Sequence, residues 1–149
     1  IKLCKRCNNY TEDDYCFICT DAQRSNGVLC IVSEPQLIFT FEESGEYKGL
    51  YHCLGGLISP IDNVNPEDLK IMQVLNRIKD ENIQEVIIAL SPTVEGEATT
   101  NYVSKLLEEL PVKISRLARG IPVGGELEYA DYITLSRSIK HRELIKVKS

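Results

Sequence analysis

From residue 28 onward, short apolar runs alternate with stretches in which apolar residues recur at helical spacing. Val28 to Val32 reads as a short strand, entered through the turn-forming pair Asn26-Gly27. Pro35 stands where a helix can begin, and Gln36 to Glu43 continue it. Tyr51 to Leu54 reads as a second strand, ended by Gly55-Gly56, with a loop from Leu57 to Asn65 behind it. Asn65-Pro66-Glu67-Asp68 then supplies an N-cap, a proline at the first helical position and two acids at the positive end of the dipole. This predicts a helix with Ile71, Leu75 and Ile78 on one face and Met72 beside them. Val86 to Leu90 is the clearest strand, a continuous apolar run of the kind buried in a parallel sheet. The turn SPTVEGE follows, then a helix lined on one side by Val103, Leu106, Leu107 and Leu110. Val112 to Leu117 reads as another strand, before the glycine-rich ARGIPVGGELE. A weak strand near Tyr132 to Thr134, a short helix from Leu135 to Lys140 and a charged end complete the chain. Strand–helix alternation of this kind predicts an α/β fold, with a mainly parallel sheet and helices on both faces.

Composition narrows the classes. The 149 residues suffice for one domain and a small appendage. With 43% hydrophobic and 26% charged residues, the chain is not of the disordered class. Its longest apolar runs, about five residues, are too short to cross a bilayer. Net charge is −5, from 17 basic and 22 acidic residues, so the basic surplus of a protein that grips nucleic acid through phosphates is missing. A grip on DNA would have to lie outside these residues or in a local patch. No apolar leader precedes the first cysteines, which points to an intracellular, cytoplasmic protein. Ile1 opens the sequence in place of Met, and the cysteines follow almost at once, so the sequence reads as cut from a longer one.

Six cysteines are present. Cys4-x-x-Cys7 and Cys16-x-x-Cys19 are two knuckles, each turning two thiolates toward one point, and together they complete a tetrahedral zinc shell with no open position. Such a site is structural and has no place for a catalytic water. The rivals are a pair of disulfides and a redox CxxC. Against disulfides stand the missing secretory signal and the single Cys30 and Cys53, placed in apolar strands like reduced core thiols. Redox motifs rarely come as adjacent pairs. A knuckle this short cannot hold a core of its own, so metal binding should supply most of its folding free energy.

In open parallel sheets, ligands gather at the carboxyl ends of the strands. Glu34 follows the first strand, and Glu95 and Glu97 follow the Val86–Leu90 strand. Three carboxylates converging there could hold a hard cation such as magnesium. The plainer reading is that Glu95 and Glu97 stabilise a helix amino terminus. His52 and His141 carry no motif.

The stretches LCKRCNNYTEDDYCFICTD, GVLCIVSEP, SPTVEGEATTNYV and LARGIPVGGELEYADYITLSRSI together resemble the bacterial recombination mediator family RecR, from about Leu3 to Arg142. The family's amino-terminal helix-hairpin-helix domain has no counterpart in this sequence. The resemblance implies a four-cysteine zinc finger at residues 1–24, a Toprim (Rossmann-like) domain at 25–118 and a carboxy-terminal oligomerisation segment at 119–149. It also implies a non-catalytic clamp subunit in DNA repair. With RecO and RecF, such proteins help load RecA onto single-stranded DNA at gaps. The expected partners are therefore RecO, RecF and DNA, the last mainly through the absent domain, so that this chain alone should bind DNA poorly. Self-association is expected as a dimer for this chain and a tetrameric ring at full length.

Catalytic Toprim domains carry a glutamate after the first strand and an Asp-x-Asp pair after a later one, in topoisomerases within a motif resembling DPDREGE. Laid against SPTVEGE, Ser91 and Thr93 occupy the aspartate places, and Glu95 and Glu97 match the trailing acids. Ser33, directly before Glu34, stands where many Toprim enzymes have the glutamate. Two hydroxyls for two aspartates remove two negative charges from a phosphoryl-transfer metal site, which argues against a magnesium-dependent nuclease or primase. A plain zinc-ribbon adaptor would not need the long α/β portion. The acidic edge of Glu34, Glu95 and Glu97 is then free to dock a basic partner, RecO by the resemblance. Arg119 to Glu126 lacks the Gly-Lys-Ser/Thr ending of a P-loop. By the resemblance Gly124, Gly125 and Tyr129 belong to a subunit contact, and Arg119 is a candidate for touching DNA.

Overall fold

The computed structural model describes residues 1–25 and 27–146, and it divides into two units, Ile1–Arg116 and Leu117–Ser149. Asn26, expected to open the first apolar strand, lies outside the described residues. In the first unit, β1 (Lys2–Leu3) and β2 (Tyr10–Thr11) form a small antiparallel ribbon within the cysteine knuckle. The sheet that follows has four parallel strands: β3 (Val28–Val32), β4 (Leu50–Cys53), β5 (Glu85–Ile88) and β6 (Lys113–Arg116). Their order is β4-β3-β5-β6, with Ile31 opposite both His52 and Ile88. Helices α1 (Pro35–Ser44), α2 (Met72–Glu81) and α3 (Val94–Leu107) make the crossovers.

Right-handed crossovers put α1 on one face and α2 on the other, because the chain steps from β3 to β4 in one direction and back past β3 to β5 in the other. Consecutive β4 residues show the result. The Tyr51 hydroxyl donates to Glu42 of α1 at 2.5 Å, while His52 faces Arg77 of α2 at 3.4 Å. Leu29, Ile31, Val32, Val86, Val103 and Leu107 are buried in the core between these layers. Cys30 and Cys53 lie in it as free thiols, their pKa values pushed up by burial to about 12 and about 11.

The structure corrects the sequence reading at three helix starts. Asn65-Pro66 opens only a 3-10 turn, Pro66–Asp68, closed on itself by an Asn65 N–H bond to the Asp68 carboxylate at 2.9 Å. Leu69 is then extended, and α2 begins at Met72. The reason is that both backbone groups of Lys70 are claimed elsewhere. Its N–H donates to Leu54 at 3.0 Å and its carbonyl accepts from His52 at 2.9 Å, so neither can join a helical ladder. The face of α2 that packs inward is Val74, Arg77 and Ile78, with Leu75 half-buried and Met72 exposed. Helix α3 starts inside SPTVEGE, because the Thr93 hydroxyl caps the Gly96 N–H at 3.1 Å.

In the second unit, a 3-10 turn (Leu127–Tyr129) precedes α4 (Tyr132–Lys140). Tyr132 to Thr134 is thus helical where a strand was expected. Asp131 caps the helix, its carboxylate accepting from the Thr134 N–H at 2.7 Å. Among the described residues no helix is long and apolar enough to cross a membrane.

Candidate functional site

The four knuckle cysteines converge. Their Sγ atoms all lie within 4.8 Å of one another, with Cys4 and Cys19 at 3.7 Å and Cys7 and Cys16 at 3.5 Å. Zinc–thiolate bonds of about 2.3 Å place tetrahedral sulfurs about 3.8 Å apart, whereas a disulfide needs about 2.0 Å. The donor set fits zinc and does not form disulfides.

Local backbone bonds build this geometry. The Asn8 N–H returns to the Cys4 carbonyl at 3.0 Å with Asn8 in the left-handed region, and the Cys16 N–H points at the Cys4 sulfur at 3.3 Å. Crowding separates the thiols electrostatically. Without a metal the crowded thiols cannot all ionise: hydrogen bonding to Cys16 raises the pKa values of Cys7 and Cys19, while the bond from Cys19 draws Cys16 down. Four thiolates at this spacing therefore require a cation, and zinc supplies the charge.

The sequence reading did not reach the residues that join this knuckle to the sheet. Arg6 donates to Glu81 of α2 at 2.8 Å and to the Cys19 carbonyl at 3.2 Å. Glu81 also receives Arg77 through Nε at 2.9 Å and Nη2 at 3.1 Å. Burial raises the Glu81 pKa, but the bonds from Arg6 and Arg77 outweigh it and hold the carboxyl below its ordinary value. Asn8 donates to the Cys53 carbonyl at 3.1 Å and to Gln73 at 3.0 Å, and the Cys53 N–H donates to the Cys7 carbonyl at 2.8 Å. The Arg77–Glu81 pair has helical i, i+4 spacing and was visible in the sequence; its link to Arg6 was not.

The second candidate region lies where the strand order reverses, between the carboxyl ends of β3 and β5. Glu34 is the N-cap residue of α1, and Glu95 and Glu97 occupy the first turn of α3; all three are half-buried. Glu97 accepts from Arg116 of β6 at 2.8 Å. Among the described residues, the cysteines form the one group of histidine, cysteine or acidic side chains close enough to share a metal ion. The three glutamates share an edge but do not converge on a cation. Ser91 and Thr93 are exposed, and the Thr93 hydroxyl is committed to its cap. Gly96 is required here: a Cβ on it would stand 1.7 Å from the Ser91 carbonyl oxygen.

In the second unit, Pro122 to Gly125 form a turn closed by the Gly125 N–H on the Pro122 carbonyl at 3.0 Å. Gly124 at its third position has a left-handed φ of +85°, which favours glycine. Tyr129 is exposed, and Arg119 is half-buried.

Comparison with known families matches residues 1–21 to the "RecR, Cys4-zinc finger domain", 27–118 to the "Toprim domain" and 120–143 to "RecR, C-terminal". Over 142 residues the chain is 51% identical to a protein of Bifidobacterium animalis subsp. lactis named "Recombination protein RecR", covering 95% of this chain and 71% of that one. A protein of the same name from Tropheryma whipplei (strain Twist) is 48% identical over 145 residues, covering 97% and 73%. Another from Bifidobacterium adolescentis is 47% identical over 145 residues, covering 97% and 72%.

Proposed function

Because the chain belongs to the RecR family of recombination proteins, we propose that it acts as a non-catalytic mediator of DNA repair, a clamp subunit that with RecO and RecF helps load RecA onto single-stranded DNA at gaps. The observation that carries this reading is the chemistry of the switch-point edge. Phosphoryl transfer through a metal needs clustered carboxylates. Here Ser91 and Thr93 stand in their place, Thr93 is spent as a helix cap, and Glu97 is paired with Arg116. A magnesium-dependent nuclease or primase lacks its ligands.

The edge remains acidic, and Glu34, Glu95 and Glu97 are proposed to dock a basic surface of RecO, where charge mainly steers association. The carboxy-terminal unit is proposed as the self-association segment of a cytoplasmic oligomer. Supporting this, Val123, Tyr129, Tyr132 and Ile139 are all exposed, apolar side chains that a second copy would cover. Gly124 and Gly125 shape its turn. Within these proposals the chain divides near residues 24 and 118 into finger, Toprim domain and oligomerisation segment.

The test is charge reversal, Glu95→Lys with Glu97→Lys, in a RecO-binding titration across salt and in a RecA-loading assay on gapped DNA. The expected result is weaker RecO binding and slower loading with unchanged helical content. Unchanged affinity removes the acidic-edge reading. Magnesium- or manganese-dependent cleavage of DNA, abolished by Glu95→Gln, replaces the mediator by an enzyme.

A further inference from the structure

A groove of about 400 Å³ opens between the knuckle and helix α2, within the first unit. Its walls carry Lys5, Arg6 and Tyr15 from the knuckle and Gln73, Asn76 and Arg77 from α2. Glu81, also in its lining, has both carboxylate oxygens engaged by Arg6 and Arg77. The groove thus holds three cations against one carboxylate, both of whose oxygens already accept from arginines, in a chain whose net charge is −5.

What remains on its walls is mostly donors. Among the described residues, the Lys5 ammonium has only Asp14, at 3.6 Å, an exposed carboxylate that it shares with Lys2. The Gln73 oxygen accepts from Asn8, which leaves its NH2 as a donor. Among the described residues, the Asn76 amide and the Tyr15 hydroxyl make no hydrogen bond. Tyr15 is 49% exposed and presents a ring at the groove's rim.

A cationic cleft with unspent donors selects an oxygen-rich anion, and an accessible aromatic ring beside it selects a flat partner. We infer that this groove binds a phosphodiester of single-stranded nucleic acid, with Lys5 and the amides on the phosphate and Tyr15 stacked on the adjoining base. A duplex keeps its bases stacked inside and offers Tyr15 nothing to cover. The identity of the strand rests on the recombination reading above; the preference for a phosphate rests on the groove alone. Such a site is local, so it is compatible with a chain lacking a general basic surplus.

The test uses the zinc-bound chain and a fluorescent oligothymidylate, followed by anisotropy at several salt concentrations. The expected Kd at moderate salt is about 10–100 µM. Lys5→Ala should weaken binding about threefold and reduce the salt slope by about one. Tyr15→Ala should weaken it about tenfold on the normal strand and have no effect on an abasic one. Lys105→Ala on α3 is the control and should change nothing. All three positions are exposed or half-exposed, and circular dichroism checks that each variant folds. Affinities unchanged in Lys5→Ala and Tyr15→Ala overturn the groove assignment and leave the mediator reading standing, because its own test is RecO binding and RecA loading. Inorganic phosphate competing at the same concentration of groups as the oligonucleotide, with no effect of Tyr15→Ala, overturns the strand and leaves a simple anion site.

Discussion

Arg6 and Glu81 lie 75 positions apart in sequence and meet through a 2.8 Å hydrogen-bonded ion pair. One belongs to the cysteine knuckle and the other to the last turn of α2. The same carboxylate receives Arg77, whose Nη1 also reaches the Tyr51 carbonyl of β4. Knuckle, helix and sheet are therefore tied at a single acid.

Removing that acid should cost more than removing either cation. Glu81→Gln leaves two guanidiniums short of a charged partner and is expected to destabilise the first unit by about 2–3 kcal/mol. Arg6→Ala leaves Glu81 with Arg77 and should cost about 1–2 kcal/mol. In urea denaturation the double variant should cost less than the two singles combined, by about 1 kcal/mol. Strict additivity would show that the pair does not couple the two parts.

Zinc removal should be felt in the sheet. One zinc per chain is expected by elemental analysis, and a chelator should release it with loss of the knuckle's fold. The Cys53 N–H donates to the Cys7 carbonyl, so its hydrogen exchange should accelerate in the metal-free chain. Full protection at Cys53 after zinc release would mean that the knuckle's contacts outlive its metal.

Gly96→Ala should be among the most damaging small substitutions in the chain. The added methyl carbon meets the Ser91 carbonyl oxygen at 1.7 Å, so the β5–α3 turn must open. A loss of about 3 kcal/mol or more is expected in thermal or urea unfolding. Gly45→Ala, with no atom near its Cβ but a left-handed φ of 71°, should cost about 1 kcal/mol. A smaller loss at Gly96 than at Gly45 would contradict the close approach.

Stability should fall on mild acidification through His52. Burial lowers its pKa from 6.5 to about 4, and its Nε2–H bond to Lys70 fixes the neutral form with Nδ1 toward Arg77. Above pH 6.5 the ring is neutral in both states and contributes no pH dependence. Between pH 6.5 and 4 the unfolded chain takes up a proton that the folded one refuses, so folding weakens as pH drops, by about 3 kcal/mol across the window. His52→Gln should flatten that part of the stability–pH curve relative to the parent, whatever its own baseline. Parallel curves for the two proteins would refute the assignment.

The parts legible in the sequence are those written in local spacing. The two CxxC pairs announce their tetrahedron, Pro35 marks the start of α1, and the Val86–Leu90 run marks a buried strand, which in the sheet is paired over Glu85–Ile88. The family's motifs identified the zinc finger and the Toprim fold. Illegible were features decided by distant partners. Asn65-Pro66 has a helix-starting pattern, yet Leu54 and His52 take Lys70's backbone and postpone the helix to Met72. Nothing local to Arg6 announces Glu81. The strand expected at Tyr132 failed for a local reason, since Asp131 is a helix cap that the reading passed over.

The outer edge of β4 has one more consequence. Three of its outward backbone groups are answered by side chains or knuckle backbone: the Tyr51 carbonyl by Arg77, and the Cys53 N–H and carbonyl by Cys7 and Asn8. An uncovered strand edge is a template on which other chains add strands. The knuckle is thus a stopper on the sheet. A metal-starved chain would become sticky before it became unfolded, and zinc supply would govern how much of the protein survives in dispersed form.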